Sequence, residues 1–212
     1  MAVMSADTRR TRAGDTRALL LRTAERLYAE RGLAAVSLRQ IVEAAGVGNN
    51  SALAYHFGAR PDVVHAIGEV HAPGIAAHAR TLVAASRDAG DPREHVACLV
   101  LPYVRHLAGL GVPSWFARFT AQVAADPSFG DGLHSHAELA PVLEVASTRV
   151  WAHMPRLSPA EITLRTSMLR QGLIHTCAQQ EALAAAGTPV DWDRVGSALT
   201  DAATGLVLAS RA

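Results

Sequence analysis

Residues 37–57, SLRQIVEAAGVGNNSALAYHF, constrain the fold more than any other part of the chain. Ser37 occupies the position of a helix N-cap, and Gln40, three residues later, has a side chain that reaches back to the Ser37 backbone amide. Val36 and Ile41 stand on either side of this cap at the spacing of a hydrophobic staple. The pattern therefore predicts a helix that begins directly after Ser37.

A glycine-containing turn, Gly46-Val47-Gly48, follows this helix, and a second short helix is expected to start at Asn49 or Asn50. Two short helices joined by such a turn are typical of a helix-turn-helix, whose second helix enters the major groove of DNA. An ordinary helical hairpin with a solvated polar face is the alternative. An asparagine-rich first turn disfavours it because asparagine is a poor helix former. The polar residues that we expect on the DNA side of the second helix are Asn49, Asn50, Ser51, Tyr55 and His56.

Arginine is distributed unevenly along the chain, and it accounts for all 20 basic residues. Residues 1–60 hold nine arginines and five acidic residues, a net charge of +4, whereas residues 61–212 hold eleven arginines and fourteen acidic residues, a net charge of −3. A basic head on a nearly neutral body is the distribution expected of a protein whose head faces phosphates. We therefore divide the chain into a DNA-binding domain, residues 1–60, and a regulatory and dimerisation domain, residues 61–212.

Half of the 212 residues are hydrophobic, which excludes disorder for most of the chain. The two cysteines, Cys98 and Cys177, lie far apart in apolar helical sequence, and this predicts buried free thiols in a reducing compartment. No stretch reaches the roughly eighteen apolar residues of a membrane span, and the N-terminus lacks the apolar core of a signal peptide. These features predict a soluble cytoplasmic protein.

Helical signals also mark the boundaries of the head. Residues 1–14 are expected to form a loose arginine-containing arm, followed by a helix from about Thr16 to Arg31 that ends at Gly32. Another helix opens at Pro61 and is expected to kink or end at Pro73-Gly74.

Beyond residue 75 the apolar residues follow helical spacing and never the alternation of a strand, which predicts an all-α body. Its clearest helix opens at Ser158-Pro159-Ala160-Glu161, an N-cap with a capping box, and stops at Gly187. The last helix starts near Trp192. These two C-terminal helices carry more apolar surface than the core of one subunit requires, and this predicts a homodimer that pairs through them.

The segment from Thr16 to Val64 resembles the TetR family of bacterial transcriptional regulators. The resemblance rests on three fragments in the family's order and spacing, AERLYAERG, SLRQIVEAAGV and YHFGAR. It implies an all-helical homodimer with a DNA-binding head and a ligand-binding body. It also implies a transcriptional repressor, not an enzyme, that binds a palindromic operator and is released by a small-molecule effector.

The same resemblance implies which residues touch DNA. Tyr55 and His56 match positions that the family places on phosphates, and Arg60 matches its usual lysine. The complete set of expected DNA contacts is Ser37, Arg39, Gly48, Asn49, Asn50, Ser51, Tyr55, His56 and Arg60. The chain departs from the family at Ala54, where an aromatic residue is usual, and by one extra residue between Val47 and the YHF run. Which of the residues from Asn49 to Ser51 faces the bases therefore stays open.

A ligand pocket is expected among the large side chains of the body, because aromatic-lined cavities are the default form of a small-molecule site. The residues that we expect to bind the ligand are Tyr103, Trp115, Phe119 and His175. Each of them, taken alone, is more typical of plain core. An anionic ligand would give a role to Arg105, Arg118 or Arg170.

The alternative function is a helical enzyme or metal-binding protein that carries a helix-turn-helix. The best candidate for a metal site is the run from His134 to Glu138, but its histidines are two residues apart, and on a helix such side chains point in nearly opposite directions. The sequence has no HExxH, GxSxG or phosphate-binding loop. We therefore predict no catalytic residue, no metal and no cofactor.

Overall fold

The computed structural model describes residues 2–47, 57–129 and 136–209. Within these ranges the chain is helical and has no strand, so the predicted all-α fold is confirmed. The helices are α1 (Ala2–Arg31), α2 (Leu38–Ala44), α3 (Arg60–Ala85), α4 (Pro92–Leu110), α5 (Phe116–Ala125), α6 (Ala140–Ala152), α7 (Pro159–Ala185) and α8 (Trp192–Leu208), with one 3₁₀ turn at Pro127–Phe129.

Helix α1 begins at Ala2, well before the predicted start near Thr16. Residues 2–14 therefore continue the helix, and the prediction of a loose arm was wrong. This segment is rich in alanine and arginine, which are good helix formers, and Gly14 costs a helix interior only about 1 kcal/mol. Polarity alone does not stop a helix.

The predicted caps are present at the expected residues. The Gln40 amide donates to the Ser37 hydroxyl at 3.3 Å, and the Ser37 amide donates to Gln40 Oε1 at 2.8 Å. Ser158 forms the same capping box at the start of α7. Gly32 and Gly187 end α1 and α7 with φ values of 86° and 88°, in the left-handed region that favours glycine.

Helix α3 continues through Pro73 to Ala85, although the sequence predicted that it would kink or end there. Proline has no amide proton, so the Glu69 carbonyl loses its partner within the helix. Both Pro73 and Glu69 are exposed, and water can therefore satisfy that carbonyl. Beyond the proline, Ile75 and Ala79 are buried, and this packing stabilises the rest of the helix.

Within the described residues, the head packs α1, α2 and the first turns of α3 around a core of buried apolar side chains. Val36 and Ile41, the predicted staple, are both fully buried. The other buried side chains of this core include Leu20, Ala24, Leu27, Tyr28, Phe57, Val63 and Ile67.

The body is built around α4 and α5. Helix α4 packs between α3 and α8, while α5 packs against both α1 and α7. Helix α6 lies on α4 and α3. Helix α5 therefore connects the head with the C-terminal helices, and the buried residues of head and body form one continuous core.

Candidate DNA-binding surface and ligand cavity

The described part of the expected DNA-binding surface is the start of α2. The Ser37 hydroxyl is engaged in the cap of this helix and remains exposed. Arg39 is exposed as well, and its Nε donates to Glu43 Oε1 at 2.7 Å. Exposed ion pairs of this kind are weak, so Arg39 can exchange Glu43 for a phosphate at little cost. The expected contacts Gly48, Asn49, Asn50, Ser51, Tyr55 and His56 lie outside the described residues.

Arg60, another of the expected DNA contacts, forms a hydrogen bond within the chain. It is half-buried, and its guanidinium donates to the Val36 carbonyl at 3.2 Å. This bond ties the first residue of α3 to the segment that precedes α2. A second arginine supports the same region, since the Arg17 guanidinium lies 5.0 Å from the centre of the Phe57 ring. No pattern in the sequence indicated either contact.

A cavity of about 170 Å³ lies in the body, and we call it the central cavity. Its walls come from α3, α4, α5, α6 and α7 and from the segment around Phe129. The lining residues are Pro61, Val64, His65, Gly68, Ile75, Leu99, Pro102, Tyr103, Phe119, Thr120, Val123, Ala124, Phe129, His136, Leu139, Leu143, Arg170, Leu173 and Ile174. Because most of these side chains are aliphatic, the cavity offers an apolar interior with few polar groups.

Two of the four expected ligand residues line the central cavity and two do not. Tyr103 and Phe119 are part of the wall. Trp115 is the N-cap of α5, one turn before the part of that helix that reaches the cavity. His175 is exposed on α7, because it follows the wall residue Ile174 by one helical step of about 100°. Trp115 and His175 therefore lie outside the wall of this cavity.

The buried hydroxyl of Tyr103 uses its proton in a hydrogen bond within the cavity wall. The Thr120 hydroxyl donates to the Ala117 carbonyl at 2.9 Å, so its oxygen accepts the hydrogen bond from Tyr103. The Tyr103 oxygen can then accept a further hydrogen bond but has no proton left to donate. Burial raises the pKa of Tyr103 well above its usual value, which keeps the phenol protonated.

Two histidines stack where α3 meets the segment before α6. The ring centres of His65 and His136 are 4.6 Å apart. Burial, followed by the neighbouring His65, lowers the pKa of His136, so this ring is neutral near pH 7. Of the metal cluster weighed from the sequence, His134 lies outside the described residues and Glu138 is exposed. Among the residues that the structure describes, no group of three or more histidine, cysteine or acidic side chains is arranged to hold a metal ion.

A chain of three polar side chains joins α1, α3 and α4. The Nε2 of His71 lies 3.1 Å from Glu25 Oε2, and its Nδ1 lies 2.8 Å from His106 Nε2. When His71 donates to Glu25 through Nε2, its Nδ1 accepts from His106. The His71 ring also stacks on Phe116 of α5, with ring centres 3.6 Å apart. Sequence reasoning missed this chain, since its members are far apart in sequence.

Close packing holds His106 in place. A Cβ atom added at Gly74 would lie 2.8 Å from His106 Nδ1, so α3 and α4 approach each other closely only because residue 74 is glycine. Burial, together with the neighbouring His71 and His78, lowers the pKa of His106 to about 4. The imidazole is therefore neutral in the folded protein over the physiological range.

We expect the folded protein to lose stability as the pH falls from about 6.5 towards 4. The folded pKa of His106 lies below its unfolded value, so the unfolded state takes up a proton first. Allowing for its partial exposure, His106 accounts for a loss of about 1 kcal/mol between pH 7 and pH 5. Urea unfolding at both pH values measures the loss, and His106→Asn should reduce it by that amount. An unchanged pH dependence in the variant would assign the loss to other groups.

A buried carboxylate caps α5 from another helix. Glu181 of α7 is 1% exposed and accepts hydrogen bonds from the amides of Ala117 and Arg118 at 3.1 and 2.9 Å. It also accepts from the Ser114 hydroxyl at 2.9 Å and from Arg118 Nε at 3.2 Å. The N-cap residue of α5 itself supplies no side-chain hydrogen bond. Glu181 therefore satisfies the amides that the start of α5 leaves open.

Both cysteines are buried free thiols, as the sequence predicted. Burial, with Glu181 nearby, raises the pKa of Cys177 to about 12. Burial also raises the pKa of Cys98. Both thiols therefore remain protonated and unreactive at neutral pH.

Helices α7 and α8 leave apolar surface uncovered in the single chain. Leu164 and Met168 on α7 are 62% and 51% exposed. A shallow groove beside them is lined by Val100, Met168, Leu169, Gly172, Leu173, Leu199, Ala202, Ala203 and Leu206. Two small residues of α8, Gly196 and Ala203, are buried within the single chain, and a Cβ at Gly196 would lie 2.9 Å from Leu101 Cδ2 of α4.

None of the helices in the described ranges is long and apolar enough to cross a membrane.

Comparisons with known proteins find a similar domain in the head. Residues 20–67 match the domain described as bacterial regulatory proteins, tetR family. No curated protein sequence matches the chain at a significant level.

Solved structures give the same result for the fold. The chain is similar to the TetR family transcriptional regulator PfmR from Thermus thermophilus, with 17% identity, a TM-score of 0.52, and coverage of 87% of this chain and 96% of that one. A TetR-family transcriptional regulator from Rhodococcus sp. is similar at 17% identity and a TM-score of 0.50, covering 92% and 99% of the two chains. A gamma-butyrolactone receptor, an ArpA-like protein, is similar at 21% identity and a TM-score of 0.50, covering 91% and 98%.

The matched segment contains the last part of α1 (residues 20–31), all of α2 and the first turns of α3, which form the core of the head described above. The structural similarity extends over the body as well. Residues 20–67 therefore match a domain of bacterial regulatory proteins of the tetR family, and the chain shares its fold with TetR-family transcriptional regulators.

Proposed function

We propose that the protein is a cytoplasmic repressor that binds a palindromic operator as a homodimer and is released from it by a small molecule in the central cavity. Residues 1–60 form the DNA-binding domain, and residues 61–212 form the regulatory and dimerisation domain. The match of residues 20–67 to bacterial regulatory proteins supports a non-enzymatic role, and we assign no catalytic residue.

The observation that carries this proposal is the position of α3. It starts at Arg60, directly after the helix-turn-helix, and its first turns contribute Pro61, Val64, His65 and Gly68 to the cavity wall. The same turns pack into the core of the head through Val63 and Ile67. A ligand in the central cavity therefore touches the helix that supports the DNA-binding surface.

Release from DNA requires that the ligand binds one arrangement of the head more tightly than the other. The two recognition helices of a dimer must match half-sites about 34–36 Å apart on B-DNA. A small movement of the first turns of α3 changes that separation. By linkage, the ligand lowers the affinity for DNA by the same factor by which DNA lowers the affinity for the ligand, typically about 1–3 kcal/mol.

We propose that the second helix of the helix-turn-helix reads DNA. Asn49, Asn50 and Ser51 are the candidates for base contacts, because amides and hydroxyls match base edges. The candidates for backbone contacts are Ser37, Arg39, Gly48, Tyr55 and His56. The exposure of Arg39 supports its role. Arg60, which donates to the Val36 carbonyl, acts indirectly by holding α3 against the segment before α2.

The uncovered apolar surface of α7 and α8 supports the homodimer. Leu164, Met168 and Ala202 are exposed in the single chain, whereas soluble proteins rarely leave contiguous apolar surface open to water. A second copy related by two-fold symmetry would cover this surface with its own α7 and α8. The same symmetry requires a palindromic operator.

Enrichment of random DNA fragments by the purified protein tests the function. We expect a palindromic site whose affinity falls steeply with salt, because arginine–phosphate contacts release counterions. The absence of a palindrome, together with binding that is indifferent to salt, would contradict the proposal.

Two variants separate the proposed roles in the same assay. Asn50→Ala should reduce discrimination at one base pair per half-site by about 1–3 kcal/mol, whereas Tyr55→Phe should weaken all sequences alike. If Asn50→Ala weakened the operator and random DNA equally, Asn50 would be a backbone contact.

A further inference from the structure

We propose that Tyr28 couples the central cavity to the helix-turn-helix, with its ring in contact with Phe119 and its hydroxyl beside Arg60. This inference rests on the proposed function, because it names the residue through which a bound effector acts on the head. Tyr28 is a positioning residue, since it is not among the residues that line the cavity.

The ring of Tyr28 supports the cavity wall from outside. Tyr28 lies on α1 and is fully buried. Its ring stacks on that of Phe119, a wall residue of α5, with ring centres 6.3 Å apart and an angle of 29° between the planes. Protein interiors are close-packed, so a ligand that displaces the Phe119 ring also displaces the Tyr28 ring.

The hydroxyl of Tyr28 lies where the three helices of the head meet. Burial raises the pKa of Tyr28, and the guanidinium of Arg60, which lies beside the hydroxyl, opposes that rise. Arg60 is the first residue of α3, and its Nη2 donates to the Val36 carbonyl at 3.2 Å, just before the N-cap of α2. Arg60 therefore contacts α1 through Tyr28 and holds the segment that leads into α2.

Tyr28 and Arg60 are neighbours that leave a hydrogen bond unmade. Both Tyr28 Oη and Arg60 Nε are buried, and neither has a hydrogen-bond partner among the described residues. A buried polar atom without a partner costs free energy, and an N–H group and a phenol oxygen are complementary. A displacement of the Tyr28 ring that brings these two atoms together therefore satisfies both.

Formation of this hydrogen bond changes how Arg60 holds the segment before α2. Nε and Nη2 belong to one planar guanidinium, so turning Nε towards Tyr28 also moves the Nη2 that donates to Val36. The guanidinium thus has two arrangements, and the position of the Phe119 ring selects between them. A ligand in the central cavity acts on α2 by favouring one arrangement over the other.

Thermal unfolding tests whether the Tyr28 hydroxyl is unpaired. Tyr28→Phe should raise the melting temperature or keep it within about 1 °C, because it removes a buried hydroxyl that has no partner. Tyr103→Phe is the matched control. Its hydroxyl is also buried but is bonded to Thr120, so its loss should lower the melting temperature by about 2–4 °C. An equal fall for Tyr28→Phe would show that its hydroxyl is already paired, and would overturn the inference.

Hydrogen exchange tests the coupling without a ligand or DNA. Phe119→Leu withdraws the ring that stacks on Tyr28, and the readout is exchange at the hydrogen-bonded amides of residues 41–47, in α2 and the turn after it. This substitution should change their exchange rates about fivefold or more in the native protein. In the Tyr28→Phe protein the change should be less than about twofold, because the ring position then no longer affects Arg60.

A control substitution in the same cavity shows whether the response is specific. Leu143→Ala shortens a wall residue of α6 and should leave exchange at residues 41–47 within about twofold. Rates are compared with those of α4 in the same protein, so that a general loss of stability cancels. An equal response to Phe119→Leu with and without the Tyr28 hydroxyl, or no response in the native protein, would overturn the inference.

Operator binding, measured on the site obtained by enrichment, lets the two proposals fail separately. Phe119→Leu should change operator affinity about fivefold or more in the native protein and less than about twofold in Tyr28→Phe. If exchange follows the expected pattern and operator affinity does not change, the coupling stands and the regulatory role of the cavity is contradicted. If enrichment returns no operator, the proposed function fails, and the exchange rates alone decide whether Tyr28 couples the cavity to α2.

Discussion

Replacing Glu181 by leucine lowers the free energy of unfolding by about 3–5 kcal/mol, the range measured when one partner of a buried charge pair is removed. The carboxylate is almost fully buried and accepts four hydrogen bonds, two of them from the amides at the start of α5. Leucine leaves those amides and the Arg118 guanidinium without this acceptor, and it removes a negative charge from the positive end of a helix. Urea unfolding measures this loss of free energy, and an unchanged m-value shows that the substitution alters stability alone.

Two companion variants of Glu181→Leu identify the cause. Glu181→Gln keeps the shape and one acceptor oxygen, and should cost about 1–3 kcal/mol. Glu144→Leu removes an exposed carboxylate from α6 and should stay within about 0.5 kcal/mol of the native protein. A loss for Glu181→Leu as small as that of Glu144→Leu would show that water replaces the carboxylate at the start of α5.

Replacing Ala202 by glutamate is expected to weaken the homodimer by about 4 kcal/mol, or about a thousandfold in its dissociation constant. Ala202 lies in the groove between α7 and α8 and is exposed in the single chain. A glutamate there is hydrated in the monomer but loses its water when a second copy covers the groove. The monomer should therefore remain folded while the dimer dissociates.

Sedimentation velocity across a concentration series, with circular dichroism as a check on folding, measures this effect of Ala202→Glu. Affinity for the palindromic operator should fall as the dimer dissociates, because each half-site is then bound by the head of a separate monomer. Val145→Glu, at an exposed apolar position of α6, is the matched control and should leave the dimer intact. A dimeric Ala202→Glu protein would place the interface on another face.

Features set by neighbouring residues were predictable from the sequence. The caps at Ser37 and Ser158 and the glycine stops at Gly32 and Gly187 each depend on residues within about one turn, and all four are present in the structure. The resemblance of the head to a known family and the helical structure of the body were predictable for the same reason. Both depend on short sequence segments and on their order along the chain.

Features that depend on distant residues were not predictable. The Glu25–His71–His106 chain and the Glu181 cap join helices far apart in sequence, and no spacing rule reveals them. The cavity wall was predicted only in part, because a large side chain on a body helix can face any direction. Tyr103 lines the cavity, whereas His175, on a wall helix, points to solvent.

The cap on α5 also determines when this protein can finish folding. Glu181 follows Ala117 by 64 residues, so α5 receives its acceptor only after a long loop has closed. On the ribosome, the head and the α3–α4 pair emerge well before Glu181 does. The cavity wall that α5 contributes is therefore completed only once α7 has been synthesised, and a chain truncated before Glu181 would present a helix-turn-helix without a finished regulatory body.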